Sequence, residues 1–496
     1  MPQNDPVNKS TQNISGKLSA GVRWTGMSQI LQQLINLGCS VVLARLLAPD
    51  DFGLLAMASV FTGIVFFVLD LGLNAVIVQR ENIEERQISS IFWINVCLGL
   101  FMTLIGVATS GAIAGFYNSP GVQPIVALLS CNFLVSSLSR TQAAVLTRRM
   151  EFRSLEFRTL AGLVVGATSA VVLAFWGFGV WSLVGRILVT GAVETSMLWA
   201  VSGWRPSFWF RWADVRDLIG FSNDVLVANL LRYFGRNADN LLIGKFVGVT
   251  ELGFYALAYN LMMLPVLRFS QVLAGVLFPA LSRLQEDLEK LKRSWFRATR
   301  TLGAVTVPLM LGLIVLAPQF VQVVYGQKWL PVVPLLQVLT MSGIFQSLGL
   351  LNSTVLLALG KTQLRLKLTF YSVGLAVVAF LVGLPYGAFG VAACFAVMNI
   401  ATETFFLIKT LECVGSSYAQ YMRNLSGVAV SAIGMSVVLL VLGLNLPLSP
   451  GAILAIAIPL GSAVYLLLLN LLAPNILTEI LSILPKRFTK SWLKVG

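Results

Sequence analysis

The chain has 496 residues, of which 57% are hydrophobic and only 11% charged, a net charge of +14 and no histidine. With a mean hydropathy of +0.82, this composition excludes a soluble globular domain, whose surface needs far more charge, and places the chain among polytopic membrane proteins. The missing histidine also excludes histidine proton relays, histidine metal ligation and every His-based catalytic triad.

Residues 1–18 are polar and lack an apolar core followed by a small-residue cleavage site, so they are read as a cytoplasmic tail rather than a signal peptide. Crossing ~30 Å of hydrocarbon takes about 20 mostly apolar residues. Fourteen spans fit: approximately 20–47, 53–79, 88–117, 124–147, 159–180, 182–203, 219–248, 253–282, 297–325, 332–359, 364–385, 388–409, 425–446 and 451–473. Period-two alternation is absent, so an all-α bundle is predicted rather than a barrel. The first six spans form an N-terminal lobe over 19–203. RPSFWFRWADVR (205–216) interleaves Trp, Phe and Arg, marking 204–218 as a cytoplasmic linker at the membrane interface. A helix lying on the surface and a solvated linker with aromatic anchors lead to the same placement. A second six-helix lobe covers 219–411, two further spans lie within 424–473, and 474–496 is a second tail. Cys39, Cys97, Cys131, Cys394 and Cys413 have no pairing or metal-ligand spacing and read as small core residues. No loop exceeds about twenty residues and no GxxxxGK[ST] loop is present, so neither a soluble catalytic domain nor direct ATP use is expected.

Basic residues set the sidedness. Of 35 Lys and Arg, only Arg45, Lys245 and Lys328 fall on the side opposite the N-terminus, and Arg140, Arg186, Arg232, Arg236 and Arg268 lie within spans. The remaining 27 share the N-terminal side, which predicts both termini in the cytoplasm. The surplus is spread loop by loop, so nucleic acid is not an expected partner. Shifting the chain by 200 residues lays ARLLAPDDFGLLAMA (44–58) over GKFVGVTELGFYALA (244–258), aligning Asp51 with Glu251 and Gly53 with Gly253. Parallel repeats of this kind are common in secondary transporters.

The repeat pairs the first span with the seventh. On the first, Thr25, Gln29, Gln32 and Asn36 fall on one narrow helical face; on the seventh, Asn229, Arg232 and Arg236 do, with Asp239 one step round. Charge facing lipid at the bilayer centre costs at least ~2.5 to 3.5 kcal/mol per residue, so both stripes must face protein or water. Arg232 and Arg236 lie about thirteen and about seventeen residues into their span, too deep to snorkel easily. Two readings stay open: a cationic cavity for an anionic group, with Arg268 of the eighth span adding charge, or an internal Arg236–Asp239 pair that only holds helices together. Asp70, Glu194 and Glu403 are candidates for coupling or for counter-ions to Arg, and Arg186 and Arg140 are expected to snorkel. Arg45, Lys245, Asp51 and Glu251 read as helix-end electrostatics.

The segments LARLLAPDDFGLLAMASVF (43–61), FSNDVLVANLLRYFGRNADNLLIGKFVGVTELGFYALAYNL (221–261) and TRRMEFRSLEFR (147–158) give the chain a resemblance to the polysaccharide transporter family. These are Wzx-type lipid-linked oligosaccharide flippases, colanic-acid exporter type, of the multidrug/oligosaccharidyl-lipid/polysaccharide exporter superfamily. The resemblance implies a V-shaped two-lobed bundle working by alternating access; no enzyme activity and no cofactor are expected, and coupling to protons, to sodium or to membrane potential alone stays open. It implies an undecaprenyl-diphosphate-linked repeat unit as substrate, moved across the bacterial inner membrane for exopolysaccharide, capsule, O-antigen or lipopolysaccharide synthesis. Membrane lipid, a polysaccharide polymerase and chain-length machinery are the partners it suggests. Related flippases use cations on the first, seventh and eighth spans around the diphosphate; Arg232, Arg236 and Arg268 match that description, with Asp239, Gln29, Gln32, Asn36 and Asn229 completing the expected substrate site. Arg23, about 120° from Gln29, is either a gate or an anchor. The rival readings are an ion-coupled drug/cation antiporter of the same superfamily, which calls for an acidic cavity, and a membrane enzyme of polysaccharide assembly, which calls for a large periplasmic catalytic loop.

Overall fold

The computed structural model describes residues 6–69, 73–80, 82–212, 223–445, 448–474 and 476. Within helices, the side chains of 6–23, 66–68, 73, 75, 223–232, 268, 272, 444 and 445 lie outside the description. The described residues form α-helices joined by short turns, with two brief 3₁₀ segments and no strand. In chain order they are α1 (Pro6–Leu46), α2 (Pro49–Leu69), α3 (Leu73–Gln79), α4 (Glu85–Tyr117), α5 (Val122–Arg148), α6 (Phe152–Phe175), α7 (Val180–Val201) and α8 (Asn223–Phe246). There follow α9 (Val249–Ser282), α10 (Leu288–Val324), α11 (Val332–Ala358), α12 (Thr362–Gly383), α13 (Gly387–Cys413), α14 (Tyr418–Asn445) and α15 (Pro450–Leu472).

Among the described residues, 11 helical segments are long and apolar enough to cross a membrane, fewer than the fourteen expected spans. One of the eleven, Thr362–Cys413, contains both α12 and α13. Neither α2 nor α8 is among them, and α8 carries Asp224, Arg232, Arg236, Asp239 and Lys245, which break its apolar run. Helix α1 already begins at Pro6, so most of the polar tail continues the first span as helix.

The chain divides into two compact units, Met1–Gly253 and Phe254–Gly496. In the first, small residues let helices approach closely, the usual packing device where lipid removes a hydrophobic drive. A Cβ on Gly99 or Gly106 of α4 would strike Ser137 or Ser130 of α5, and one on Gly162 or Gly166 of α6 would strike Glu194 or Thr190 of α7. Cys39 and Leu43 of α1, with Leu47 just past its end, pack on Ala167, Ala170 and Ala174 of α6. The first turns of α2 and α9 cross with no side chain between them: a Cβ on Gly53 would collide with the Val249 carbonyl, and one on Gly253 with the Pro49 carbonyl. The 200-residue shift exchanges these two contacts, and the Thr250 hydroxyl donates to Asp50 Oδ1 across the same point.

Arginines of α5 bond backbone carbonyls of neighbouring helices. Arg140 donates to the carbonyl of Leu69 of α2 at 3.4 Å, and Arg148 donates to the Ile77 carbonyl of α3 at 2.7 Å. The orphan carbonyls and negative pole of the α3 C-terminus account for the second contact. The first corrects the expected snorkelling of Arg140. Residues 203–212 run as coil rather than as an interfacial helix, held along α4: Trp93 donates to the Ser207 carbonyl at 2.9 Å and Trp204 to Glu85 at 2.7 Å. Ser89 and Ser90 of α4 accept from the amides of Ser207 and Arg211, so α4 takes up backbone groups that a helix would have bonded internally.

In the second unit, one cluster joins Leu291, Trp295 and Leu302 of α10 to Leu351 and Val355 of α11, Leu407 and Leu411 of α13, and Tyr421 of α14. A second seats α14 and α15 on α10 through Ala304, Leu316, Ala432, Met435, Ala457 and Tyr465. Buried Thr306 and Ser347 hydroxyls meet at 3.2 Å between α10 and α11.

Candidate functional site

The stripe on α8 begins in residues whose side chains lie outside the description, Asn229 and Arg232, and continues into described ones. Arg236 is exposed, ten residues before the helix ends at Phe246. At 1.5 Å per residue that is about 15 Å from the end. Asp239, one turn on, is instead buried, and the Asn240 amide donates to its Oδ1 at 2.8 Å. The two groups expected to form a pair therefore differ in environment: the cation is accessible and the carboxylate is enclosed.

Tyr233 fixes the helix that carries them. Its hydroxyl donates to the carbonyls of Ser59 and Val60 on α2, at 3.0 and 2.9 Å, and its ring occupies the space a Cβ on Gly63 would need. Asn237 then donates to the Tyr233 carbonyl at 2.9 Å. Sequence reasoning passed over Tyr233, because nothing in its own helix distinguishes it from a membrane-interface aromatic. Only the glycine opposite reveals the wedge. At the end of α8, Lys245 sits 5.1 Å from the centre of the Phe116 ring, a cation–π contact away from Arg236. Asp51 accepts from the Ala48 amide at 2.9 Å and closes the start of α2, as helix-end electrostatics predicts.

The stripe on α1 has a different fate. Gln29 is exposed, but Gln32 donates to Ser28 at 2.9 Å and to Glu156 of α6 at 3.2 Å. The Asn36 side-chain oxygen accepts from the Arg186 guanidinium of α7. Arg186, expected to snorkel, instead finds a polar partner inside its own unit, which spares it a long reach to the surface. Glu156 is a further residue the sequence did not single out; it lies in a charged loop cluster and reads there as ordinary solvated charge. The Glu194 side chain of α7 lies against Gly162 of α6. In the second unit, the Glu403 carboxylate fills the space beside Gly349 of α11.

Asp70 lies outside the described residues, and Arg23 and Arg268 lie on described helices with side chains outside the description. Asn74, which shares Asp70's predicted face, accepts from Asn95 of α4 at 3.3 Å, and Asn95 donates also to Thr141 of α5 at 3.2 Å. At the start of α10, outside the spans, Asp287 caps the helix by accepting from the Lys290 amide at 3.0 Å. The hydrogen-bonded Lys290 ammonium, 2.9 Å away, holds its carboxyl below the usual carboxylate range.

No group of three or more metal-ligating side chains occurs among the described residues. Among the described residues the site positions comprise an exposed guanidinium on α8, an exposed amide on α1, and amides and carboxylates already bonded or packed within the fold.

An all-α architecture in which eleven described segments are long and apolar enough to cross a membrane defines a polytopic membrane protein. Residues 42–334 match the model of a family described as polysaccharide biosynthesis protein, and the chain belongs to that family. The lipopolysaccharide biosynthesis protein WzxC of Escherichia coli strain K12 is 28% identical over 421 residues, covering 83% of this chain and 85% of that one. The succinoglycan biosynthesis transport protein ExoT of Rhizobium meliloti strain 1021 is 26% identical, covering 67% of each. Among solved structures, the lipid II flippase MurJ in an inward closed conformation shares the fold at a TM-score of 0.72 and 14% identity, covering 92% of this chain and all of that one.

Proposed function

We propose that the chain is a flippase that moves a polyprenyl-diphosphate-linked oligosaccharide from the cytoplasmic to the periplasmic leaflet of a bacterial inner membrane, with both termini in the cytoplasm. The observation that carries this reading is Arg236, an exposed guanidinium ten residues inside the end of α8, which this reading takes as the seventh span. Such a charge is retained at depth only where it meets water or an anion. A diphosphate is a fitting anion, because guanidinium donors match phosphate oxygens in geometry and charge. A sugar chain and diphosphate cannot cross hydrocarbon unaided. The stripe Asn229, Arg232 and Arg236, with Arg268 of α9, would be exposed alternately to the two sides, while Asp239 moderates the field so that product is released.

Membership in a polysaccharide biosynthesis family supports this reading over an antiporter for cationic drugs, which Arg236 would repel. The names of ExoT and MurJ, a transport protein and a flippase, agree with it. The exposed Gln29 is left for sugar hydroxyls. Glu194, Glu403 and Asp70 are the candidates for coupling to protons or sodium, or for counter-ions to arginine. A polymerase and its chain-length partner would take the product on the far side.

The test is reconstitution in vesicles with a fluorescent polyprenyl-diphosphate oligosaccharide. Wild type is expected to transfer it between leaflets, and Arg232→Ala/Arg236→Ala to lose about tenfold or more of the rate, the range of a charge-assisted hydrogen bond. A folded double variant transferring at the wild-type rate overturns the proposal. So does a wild type that moves only organic cations.

A further inference from the structure

Helix α10 contains two prolines, Pro308 and Pro318. A proline inside a helix has no N–H for the carbonyl four residues back, so Ala304 and Ile314 lose their backbone partners. In a bilayer no water replaces them, and a neighbouring helix must. Each carbonyl has such a substitute. The Tyr465 hydroxyl of α15 donates to the Ala304 carbonyl at 2.8 Å, and the Gln337 amide of α11 donates to the Ile314 carbonyl at 2.9 Å. Both orphans that the prolines create in α10 are thus met by side chains from two different helices.

The stretch between these joints borders free space. Pro308, Leu309, Gly312, Leu313, Leu316 and Phe320 form one wall of an open apolar groove of about 480 Å³ whose facing wall is α14 and α15. A groove of this size beside a jointed helix leaves that helix somewhere to go, since well-packed helices have no such space at their flanks. Leu309, Ile458 and Leu466 on its rim are about half exposed, which gives membrane hydrocarbon access to it. Bending or straightening of α10 there exchanges one apolar contact for another and exposes no polar group, provided Ala304 keeps a partner.

We propose that Tyr465 is a positioning residue for the transport cycle. By donating to the Ala304 carbonyl it sets the bend of α10 at Pro308, so that α14 and α15, the two helices outside the predicted repeat, control the attitude of the ninth span. The bond is a single phenolic hydrogen bond, strong enough to bias a bend and weak enough to be broken in each cycle. The rate part of this proposal rests on the flippase reading, while the bend itself does not.

The test uses the full chain in vesicles, with its five cysteines replaced and spin labels at the exposed positions Arg293 and Gln327, near the two ends of α10. Wild type is expected to give one dominant distance. Tyr465→Phe, which keeps the ring, is expected to move the population toward a second distance and slow turnover about fivefold, the size of one net hydrogen bond, with the substrate concentration for half-maximal rate unchanged. In a Pro308→Ala background the new N–H satisfies Ala304, and Tyr465→Phe is expected to do nothing further to distance or rate. The same effect of Tyr465→Phe in both backgrounds overturns the proposal, because it would trace the effect to packing. Unchanged distances in Tyr465→Phe overturn it as well. If the distances respond as expected while wild type moves no lipid-linked oligosaccharide, the flippase reading fails and the brace stands.

Discussion

The two lead helices that the 200-residue shift aligns carry polar stripes on matching faces, and the structure treats them differently. On α1, Gln32 and Asn36 are taken up by Glu156 and Arg186 of neighbouring helices in the same unit. On α8, Arg236 is exposed while Asp239, a turn away, is enclosed. A polar stripe on a membrane helix must be satisfied, and there are two ways to do so: by protein, which builds a lobe, or by something that comes and goes, which builds a binding site. On the proposed function α1 belongs mainly to the first and α8 to the second.

The sharpest way to break that assignment is to remove both kinds of cation. Arg232→Ala/Arg236→Ala is expected to reduce leaflet transfer about tenfold or more at an unchanged thermal midpoint of the purified protein. Arg186→Ala is expected to do the reverse: it leaves the Asn36 oxygen without its partner and lowers stability by about 1–3 kcal/mol, read as a lower midpoint, with the transfer rate per folded molecule kept. If Arg186→Ala instead abolished transfer at an unchanged midpoint, the neutral stripe would belong to the binding site. Gln32→Ala is a finer probe, expected to cost about 1 kcal/mol in the same melting measurement, since it deletes one neutral amide bonded to Glu156 and Ser28. Gln29→Ala, on the exposed edge of the same stripe, is expected to leave the midpoint alone.

The smallest effect is expected far from both stripes. Asp287 caps α10, and Lys290 depresses its carboxyl titration. A carboxyl whose folded pKa is lowered adds stability above its unfolded value, about 3.9, and loses it as the pH falls through the folded value. Amide exchange over the first turn of α10 is therefore expected to quicken only in that acid window, and Asp287→Ala to quicken it at neutral pH. An acid response of the same size in Asp287→Ala would contradict the cap.

The helices and the class of protein were legible in the chain because hydrocarbon imposes one simple rule: a run of about 20 apolar residues must bond its backbone internally. The same rule made Arg236 conspicuous. It failed where a polar group is satisfied by a partner distant in sequence. Arg140 and Arg186 read as snorkelling residues because each lies within a few turns of a span end, yet they meet Leu69 and Asn36, 71 and 150 residues away. The Trp- and Phe-rich linker admitted a surface helix or a solvated linker by its composition, whereas serines of α4 take up two of its backbone amides and 203–212 is coil.

By itself the sequence determined that the chain is helical, that it crosses a membrane many times, and that α8 carries charge lipid would not tolerate. Those properties follow from local chemistry, since each residue answers to the solvent around its own helix. Only the tertiary structure decided which polar groups are already spoken for: Tyr233 against Gly63, Asn36 with Arg186, and Tyr465 on the carbonyl that Pro308 sets free. Satisfying a hydrogen bond is a property of a pair, and the second member of each pair lies on a helix that the first member's sequence neighbourhood does not specify.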